Sequence, residues 1–334
     1  MICCYRMSHA FFIVGPTATG KSELAADVAC ETGAEIVSAD AFQIYNGLDL
    51  LNAKPVTGTL ANVPHHLIGT MSLSDEMNAE KYRRTAMRAI EEISSRGKLA
   101  IVVGGSGLYI KALTHGFPPV PESDPKLRAK LNAMSLDDLR LQLTELDPET
   151  TRKIDLNNRR RIVRALEICL LTGKSMSDAL AARGTVAEGV DLGSLADVQP
   201  RSAPAATETG STIAAKGVFV FRDRRELYER INQRVETIFE HGVIDEVRTV
   251  GATSATASQM IGFREIREML ARKKSLSQCV AEIQQATRRY AKRQLTWFRR
   301  QTNFLPLNLS FLTHNEAVKW ISLRVQSEAG TRDD

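Results

Sequence analysis

Gly15-Pro16-Thr17-Ala18-Thr19-Gly20-Lys21-Ser22 has the spacing G-x-x-x-x-G-K-[ST] of a phosphate-gripping loop. Its glycines let successive backbone N–H groups turn inward around phosphate oxygens. A helix opening at the end of the loop adds a fractional positive charge. Lys21 reaches a terminal phosphate in such a loop, and the Ser22 hydroxyl is a ligand for Mg²⁺. The motif specifies a polyphosphate. It leaves open whether the phosphate is transferred, hydrolysed or expelled as a leaving group. A second segment, Ser38-Ala39-Asp40-Ala41-Phe42-Gln43-Ile44-Tyr45, supplies a carboxylate and an amide. Asp40 fits three readings: a carboxylate handling Mg²⁺, a base taking a proton from a substrate nucleophile, or a helix cap. The Gln43 amide matches the donor–acceptor edge of adenine, or serves a solvated turn.

A different chemistry is written near the C-terminus. Residues Gln259 to Arg300 carry eleven Lys and Arg against three acids, a local charge of +8 in a chain whose net charge is +5. The rest of the chain is therefore slightly acidic, and one end is a surface for polyanions. On a helix from Val280 to Arg300, Arg288, Lys292 and Arg299 form one row, and Arg289, Arg293 and Arg300 a parallel one. Val280, Ile283, Thr287, Tyr290 and Phe298 fall roughly opposite. Two such rows make a phosphate-binding face; an ordinary solvated helix face is the alternative. Arg160, Arg161 and Arg164 form a second basic cluster, with Ile162, Ala165, Leu166 and Cys169 on its packing side.

Other patterns carry less. His65 and His66 are adjacent, so they face different ways, and no third ligand follows at metal-site spacing. The five cysteines (Cys3, Cys4, Cys30, Cys169, Cys279) form no C-x-x-C pair, which points to a reducing cytoplasm without structural disulfides. No apolar stretch is long enough to span a bilayer. The segment before Val14 runs straight into the glycine-rich motif and does not read as a signal peptide; Met7 is an alternative start.

The elements that must position these residues alternate. Ala10–Val14, Glu35–Ser38 and Lys98–Val103 read as strands, and Ser22–Cys30 and Ala79–Ser95 as helices. Strands alternating with helices predict an α/β fold, a parallel sheet flanked by helices. After the proline run Pro118, Pro119, Pro121 and Pro125 the pattern turns helical, over Lys126–Thr144 and Asn158–Leu171. Arg183–Lys216, rich in small residues, reads as a flexible linker. Gly217–Phe221 reads as a strand, and from Asp223 the chain reads as helical almost to its end. The expected organisation is a core of residues 1–120 and 217–334, a helical insertion over 121–182 and a linker over 183–216.

Several blocks occur in one order: Gly15–Ser22, Ser38-Ala39-Asp40 with Gln43 and Tyr45, Ala53-Lys54-Pro55, Val63-Pro64-His65-His66-Leu67 and Val103-Gly104-Gly105-Ser106-Gly107-Leu108-Tyr109. Arg160–Glu167, Arg224 with Leu227-Tyr228 and Arg230-Ile231, Gly262-Phe263-Arg264-Glu265 and Thr287–Trp297 follow. Over about residues 11–305 the chain resembles the tRNA dimethylallyltransferase (tRNA isopentenyltransferase) family. No C-terminal C-x₂-C…H-x₃₋₅-H pattern is present, which resembles the bacterial type.

The resemblance implies a P-loop NTPase-like fold with an all-helical insertion that closes on RNA like a clamp. It implies transfer of a dimethylallyl group from dimethylallyl diphosphate to N6 of the adenosine at tRNA position 37, 3′ of the anticodon, with pyrophosphate leaving. Asp40 is then the base. Thr17 and Arg224 act on the reacting diphosphate, the whole loop Gly15 to Ser22 binds it, and Mg²⁺ is held at Ser22. The turned-out base and anticodon loop are touched by Asp40, Ala41, Phe42, Gln43, Ser106, Arg128, Arg160, Arg161, Ile162, Val163, Arg164, Arg264, Arg288, Lys292 and Arg293. Ala41 and Phe42 depart from the family's usual polar residues, so a hydroxyl and a charge are missing beside the base. A cytoplasmic monomer is expected. A nucleotide or small-molecule kinase uses the same loop with Asp40 as its Mg²⁺ or hydroxyl partner, but leaves the basic helix unexplained. A non-catalytic RNA-binding module is the third class.

Overall fold

The computed structural model describes residues 10–116, 121, 123–176, 178 and 215–330. The chain forms two compact units, Met1–His115 with Thr212–Asp334, and Gly116–Ser211. Residues 1–9 (with Cys3, Cys4 and Met7), Pro118, Pro119 and the expected linker over 183–214 lie outside the described residues.

Six strands build the sheet of the first unit: β1 (Ala10–Val14), β2 (Glu35–Ser38), β3 (His65–His66), β4 (Ala100–Gly104), β5 (Ala215–Phe221) and β6 (Phe304–Asn308). They lie in the order β3-β2-β4-β1-β5-β6, and every pairing is parallel. A parallel strand covered on both faces needs apolar residues at every position, and all of β1, Ala-Phe-Phe-Ile-Val, is buried. Its side chains alternate between two cores. Phe12 and Val14 join Tyr82, Ile90, Ile93 and Phe298; Phe11 and Ile13 join Leu24, Val28 and Ile321.

Helices α1 (Lys21–Thr32), α2 (Thr57–Asn62), α3 (Ala79–Ser95) and α4 (Gly107–Thr114) precede the second unit. That unit holds α5 (Pro125–Ala133), α6 (Leu136–Leu146), α7 (Pro148–Lys153) and α8 (Arg159–Thr172). The first unit resumes with α9 (Arg224–Glu240), α10 (Val243–Thr249), α11 (Phe263–Leu270), α12 (Leu276–Phe298) and α13 (His314–Gly330). The buried face of α3 carries Tyr82, Ala86, Ala89, Ile90 and Ile93, apolar residues near helical spacing. Its start is fixed by Asn78, whose side chain accepts the Lys81 N–H.

Three expectations are corrected. The helix read over Lys126–Thr144 is two helices, because Ser135 accepts the Asp138 N–H and restarts the chain as α6. The C-terminal region is not all helical. Phe304-Leu305-Pro306-Leu307-Asn308 forms β6, an edge strand, where proline's missing N–H is tolerated. The strand read over Gly217–Phe221 begins two residues earlier, so Ala215 and Lys216 belong to β5 rather than to a linker.

No helix among the described residues is long and apolar enough to cross a membrane. The described residues hold no group of three or more His, Cys, Asp or Glu able to hold a metal. His65 Nδ1 bonds the Val63 carbonyl at 2.7 Å and His66 Nε2 bonds Glu35 Oε2 at 2.8 Å.

Candidate active site

The chemistry-bearing segments leave the carboxyl ends of neighbouring strands. Gly15 follows β1, Asp40 follows β2, Gly105 and Ser106 follow β4, and Arg222 follows β5. In an open α/β sheet this end is where ligands bind.

The loop after β1 is shaped by its own residues. Gly15 admits no side chain, since a Cβ there would lie 2.1 Å from the Val220 carbonyl oxygen. Gly20 takes φ +90° to turn into α1. Thr19 Oγ1 donates to the Pro16 carbonyl at 3.0 Å and staples the loop. Three arginines surround it. Arg222 Nε donates to the Thr19 carbonyl at 2.9 Å, Arg230 Nε to the Ala18 carbonyl at 2.9 Å, and an Arg234 guanidinium nitrogen to Thr17 Oγ1 at 2.9 Å. Arg230 and Arg234 are four residues apart on α9, hence on one face.

Arg224, the arginine assigned to the diphosphate by resemblance, is exposed and stacks its guanidinium over the Tyr228 ring at 5.2 Å. The loop's arginines are Arg222, Arg230 and Arg234. The i, i+4 spacing of the last two was the available signal.

This cluster is electrostatically tense. Burial lowers the Lys21 ammonium to about 8; the Asp40 charge works against the shift and Arg234 adds to it. Burial likewise lowers Arg234, with Asp40 opposing. Cations drawn out of water around one carboxylate make a site that an anion completes.

Asp40 lines one cleft with Lys21, Ser22, Ser38, Gln43, His65 and Val103. The capping reading holds too: Asp40 Oδ1 accepts the N–H groups of Phe42 at 2.9 Å and Gln43 at 3.3 Å. The cap fixes the carboxylate rather than hiding it, since Oδ2 accepts no hydrogen bond from a described residue. Gln43 is engaged within the protein. Its Oε1 accepts the Ser38 hydroxyl at 3.2 Å, and its Nε2 donates to the Ala53 carbonyl at 3.0 Å. Glu246 steadies the same segment by accepting the Leu50 and Leu51 N–H groups at 2.9 and 3.0 Å. Ser106 is buried and accepts the Ala41 N–H at 3.0 Å; Ala41 and Phe42 are half-buried against the core.

The exposed face of α12 carries Arg289, Lys292, Arg293 and Arg299, while Cys279, Ile283, Ala291, Gln294 and Phe298 are buried. Arg293 lies over the Tyr290 ring at 5.7 Å, and Arg288 is half-buried with a hydrogen bond to Asn232 Oδ1. Tyr290 does not belong to the plain packing side. Burial raises its hydroxyl's pKa, and the nearby Asp40 charge adds to the shift. Arg264 is exposed at the start of α11, paired with Glu265 at 2.9 Å.

The second unit separates its arginines. Glu167, with no exposed surface, binds Arg128 Nε at 2.8 Å and Arg164 at 3.3 Å, and Arg164 also donates to the Pro121 carbonyl at 2.8 Å. Arg128 and Arg164 thus hold the unit together. Arg160 is exposed and Arg161 half-buried. Ile162 and Val163, assigned to RNA by resemblance, place their side chains in this unit's core, because Ile162, Val163, Leu166 and Ile168 line the apolar face of α8.

A family model described as IPP transferase matches residues 43–301. The tRNA dimethylallyltransferase 1 of Citrifermentans bemidjiense is 39% identical over 86% of this chain and 88% of its own. The tRNA dimethylallyltransferase of a Caulobacter species is 39% identical over 87% of this chain and 89% of its own. Among solved structures, the tRNA isopentenylpyrophosphate transferase of Bacillus halodurans aligns with a TM-score of 0.68 and 29% identity over 97% of each chain. The chain that builds this phosphate cradle beside Asp40 belongs to the tRNA dimethylallyltransferases, the IPP transferase family.

Proposed function

We propose that this chain transfers a dimethylallyl group from dimethylallyl diphosphate to N6 of the adenosine at tRNA position 37, releasing pyrophosphate. One observation carries the reading: Asp40, Lys21 and Ser22 line the same cleft. An exocyclic adenine amine is a weak nucleophile because its lone pair is delocalised into the ring. It needs a carboxylate to orient it and take its proton, and Asp40 fills that role. The C–O bond to the diphosphate breaks, the N6–C bond forms, and the N6 proton passes to Asp40. Negative charge grows on the departing pyrophosphate. Lys21, Arg234 and the loop amides would stabilise it in this reading, while Arg222 and Arg230 brace the loop through its Thr19 and Ala18 carbonyls.

The donors present fit Mg²⁺. The Ser22 hydroxyl is a hard oxygen ligand and the diphosphate supplies others, in keeping with a site that lacks a three-residue protein cage. When bound, the ion adds positive charge on the leaving group. The exposed stripe Arg289, Lys292, Arg293 and Arg299 seats tRNA phosphates near the anticodon loop, with Arg264 and Arg160 as further exposed cations. The protein acts as a cytoplasmic monomer in this reading.

Incubation with labelled dimethylallyl diphosphate and unmodified tRNA tests it. Label on the RNA is expected. Phosphate transfer from ATP in its place would show a kinase, and RNA retention without label a binding protein.

A further inference from the structure

We infer that Gln294 is a positioning residue for the diphosphate cradle: its amide holds Thr17 so that the threonine hydroxyl meets Arg234. The inference rests on the prenyl-transfer reading and adds a residue that the loop motif does not contain.

Gln294 lies on the buried face of α12 near Ala291 and Phe298, with 5% of its surface exposed. An apolar residue would suit that face. The amide instead bonds main-chain groups of two loops. Oε1 accepts the Thr17 N–H at 3.0 Å, and Nε2 donates to the Gly105 carbonyl at 2.8 Å. The loop after β1 is thereby tied to the loop after β4 through one helix.

A second observation points the same way. A Cβ at Gly105 would lie 2.3 Å from Gln294 Nε2 and 2.8 Å from the Gly15 carbonyl oxygen. Glycine at 105 leaves room for this amide between the two loops. With the Thr17 N–H held, its backbone is anchored where Oγ1 can accept from Arg234 at 2.9 Å. Removing the amide orphans a donor and an acceptor in a desolvated place, and the loop shifts to pair them elsewhere. A shift of about 1 Å in a positioned group costs about 100-fold in rate.

The test uses steady-state kinetics of the full chain and calorimetric affinity for inorganic pyrophosphate. Gln294→Met keeps length and volume and removes both bonds. The expected result is a KM for dimethylallyl diphosphate raised about ten-fold, a lower kcat and a matching loss of pyrophosphate affinity. The KM for tRNA should stay within about two-fold of the wild type.

Gln294→Glu supplies a signature that simple packing lacks. Its protonated carboxyl reproduces both bonds; its ionised form cannot donate to Gly105 and repels the diphosphate. The ratio of variant to wild-type pyrophosphate affinity should therefore be about ten-fold higher at pH 6 than at pH 8.5. This arm decides the matter if Gln294→Met does not fold. Equal rises in both KM values, or a folded Gln294→Glu whose ratio is flat with pH, overturns the inference. A wild type that puts no label on tRNA would sink the prenyl-transfer reading, while the pyrophosphate comparison would still decide the role of Gln294.

Discussion

Strand β2 has a cluster of charge at each end, and the two clusters obey opposite rules. At its start Glu35 is 3% exposed and is bonded by His66 at 2.8 Å, Arg96 at 2.7 Å and Lys98 at 3.1 Å. Burial alone would raise its carboxyl, but these hydrogen bonds hold it down at about 2. Beyond the other end, Asp40 stands among Lys21 and Arg234, both pushed toward neutrality by burial, while Arg222, paired with Glu226, and the exposed Arg230 brace the loop through its carbonyls. The first cluster is a buried acid fully answered by cations that reach water, which is how a fold closes a strand end. The second sets two desolvated cations, Lys21 and Arg234, beside one carboxylate, a surplus that a bound anion would relieve.

The comparison can be broken by experiment. Asp40→Ala should lower turnover about 1,000-fold while tRNA affinity stays within about two-fold. Equal loss of both in filter binding and label transfer would make Asp40 another structural acid like Glu35. Lys21→Ala should cost about 100-fold in kcat/KM for the diphosphate and leave thermal stability unchanged or higher, because a desolvated charge is gone. A large fall in Tm would show that the second cluster is also a structural one.

Glu35→Gln should do the reverse. It should cost about 3 kcal/mol in denaturant unfolding, with KM for both substrates unchanged. The sign follows from the depressed carboxyl. Its contribution is present above the unfolded value of 4.5 and disappears as pH falls toward 2, so the variant and wild type should converge in acid. Lys21 gives a pH effect on binding instead. Its free-state value of about 8 means the ammonium is mostly charged at pH 7 and mostly neutral at pH 9. A bound anion favours the charged form, so pyrophosphate affinity should weaken by up to ten-fold per pH unit above 8, and Lys21→Arg should flatten the profile. The smallest effect concerns the outer surface. Lys292→Ala with Arg293→Ala should reduce the salt slope of tRNA binding by about 1.4, and an unchanged slope would remove both side chains from the phosphate contacts.

The cradle was legible because a phosphate loop works through its backbone. Glycines at 15 and 20 and a lysine at 21 specify the turn before any partner is known. The strand Ala10–Val14 was legible for a similar reason, being apolar at every position. What escaped was whatever depends on a distant partner. Arg224 and Arg234 are the same residue type on one helix, yet one stacks on Tyr228 and the other reaches Thr17. Arg128 and Arg164 looked like Arg289 and Lys292 until Glu167 appeared beneath them. Gln294 carried no signal at all, since nothing near it in sequence discloses Thr17 or Gly105.

Local chain chemistry, acting within a few residues, sufficed to declare a polyphosphate grip, a parallel sheet to carry it and a helix with two basic rows. The tertiary structure alone decided which cations face the grip, which hold a buried acid, and that one buried amide ties the two loops together. Those outcomes depend on residues up to 277 positions apart meeting within hydrogen-bond distance, and no short-range pattern encodes such a meeting.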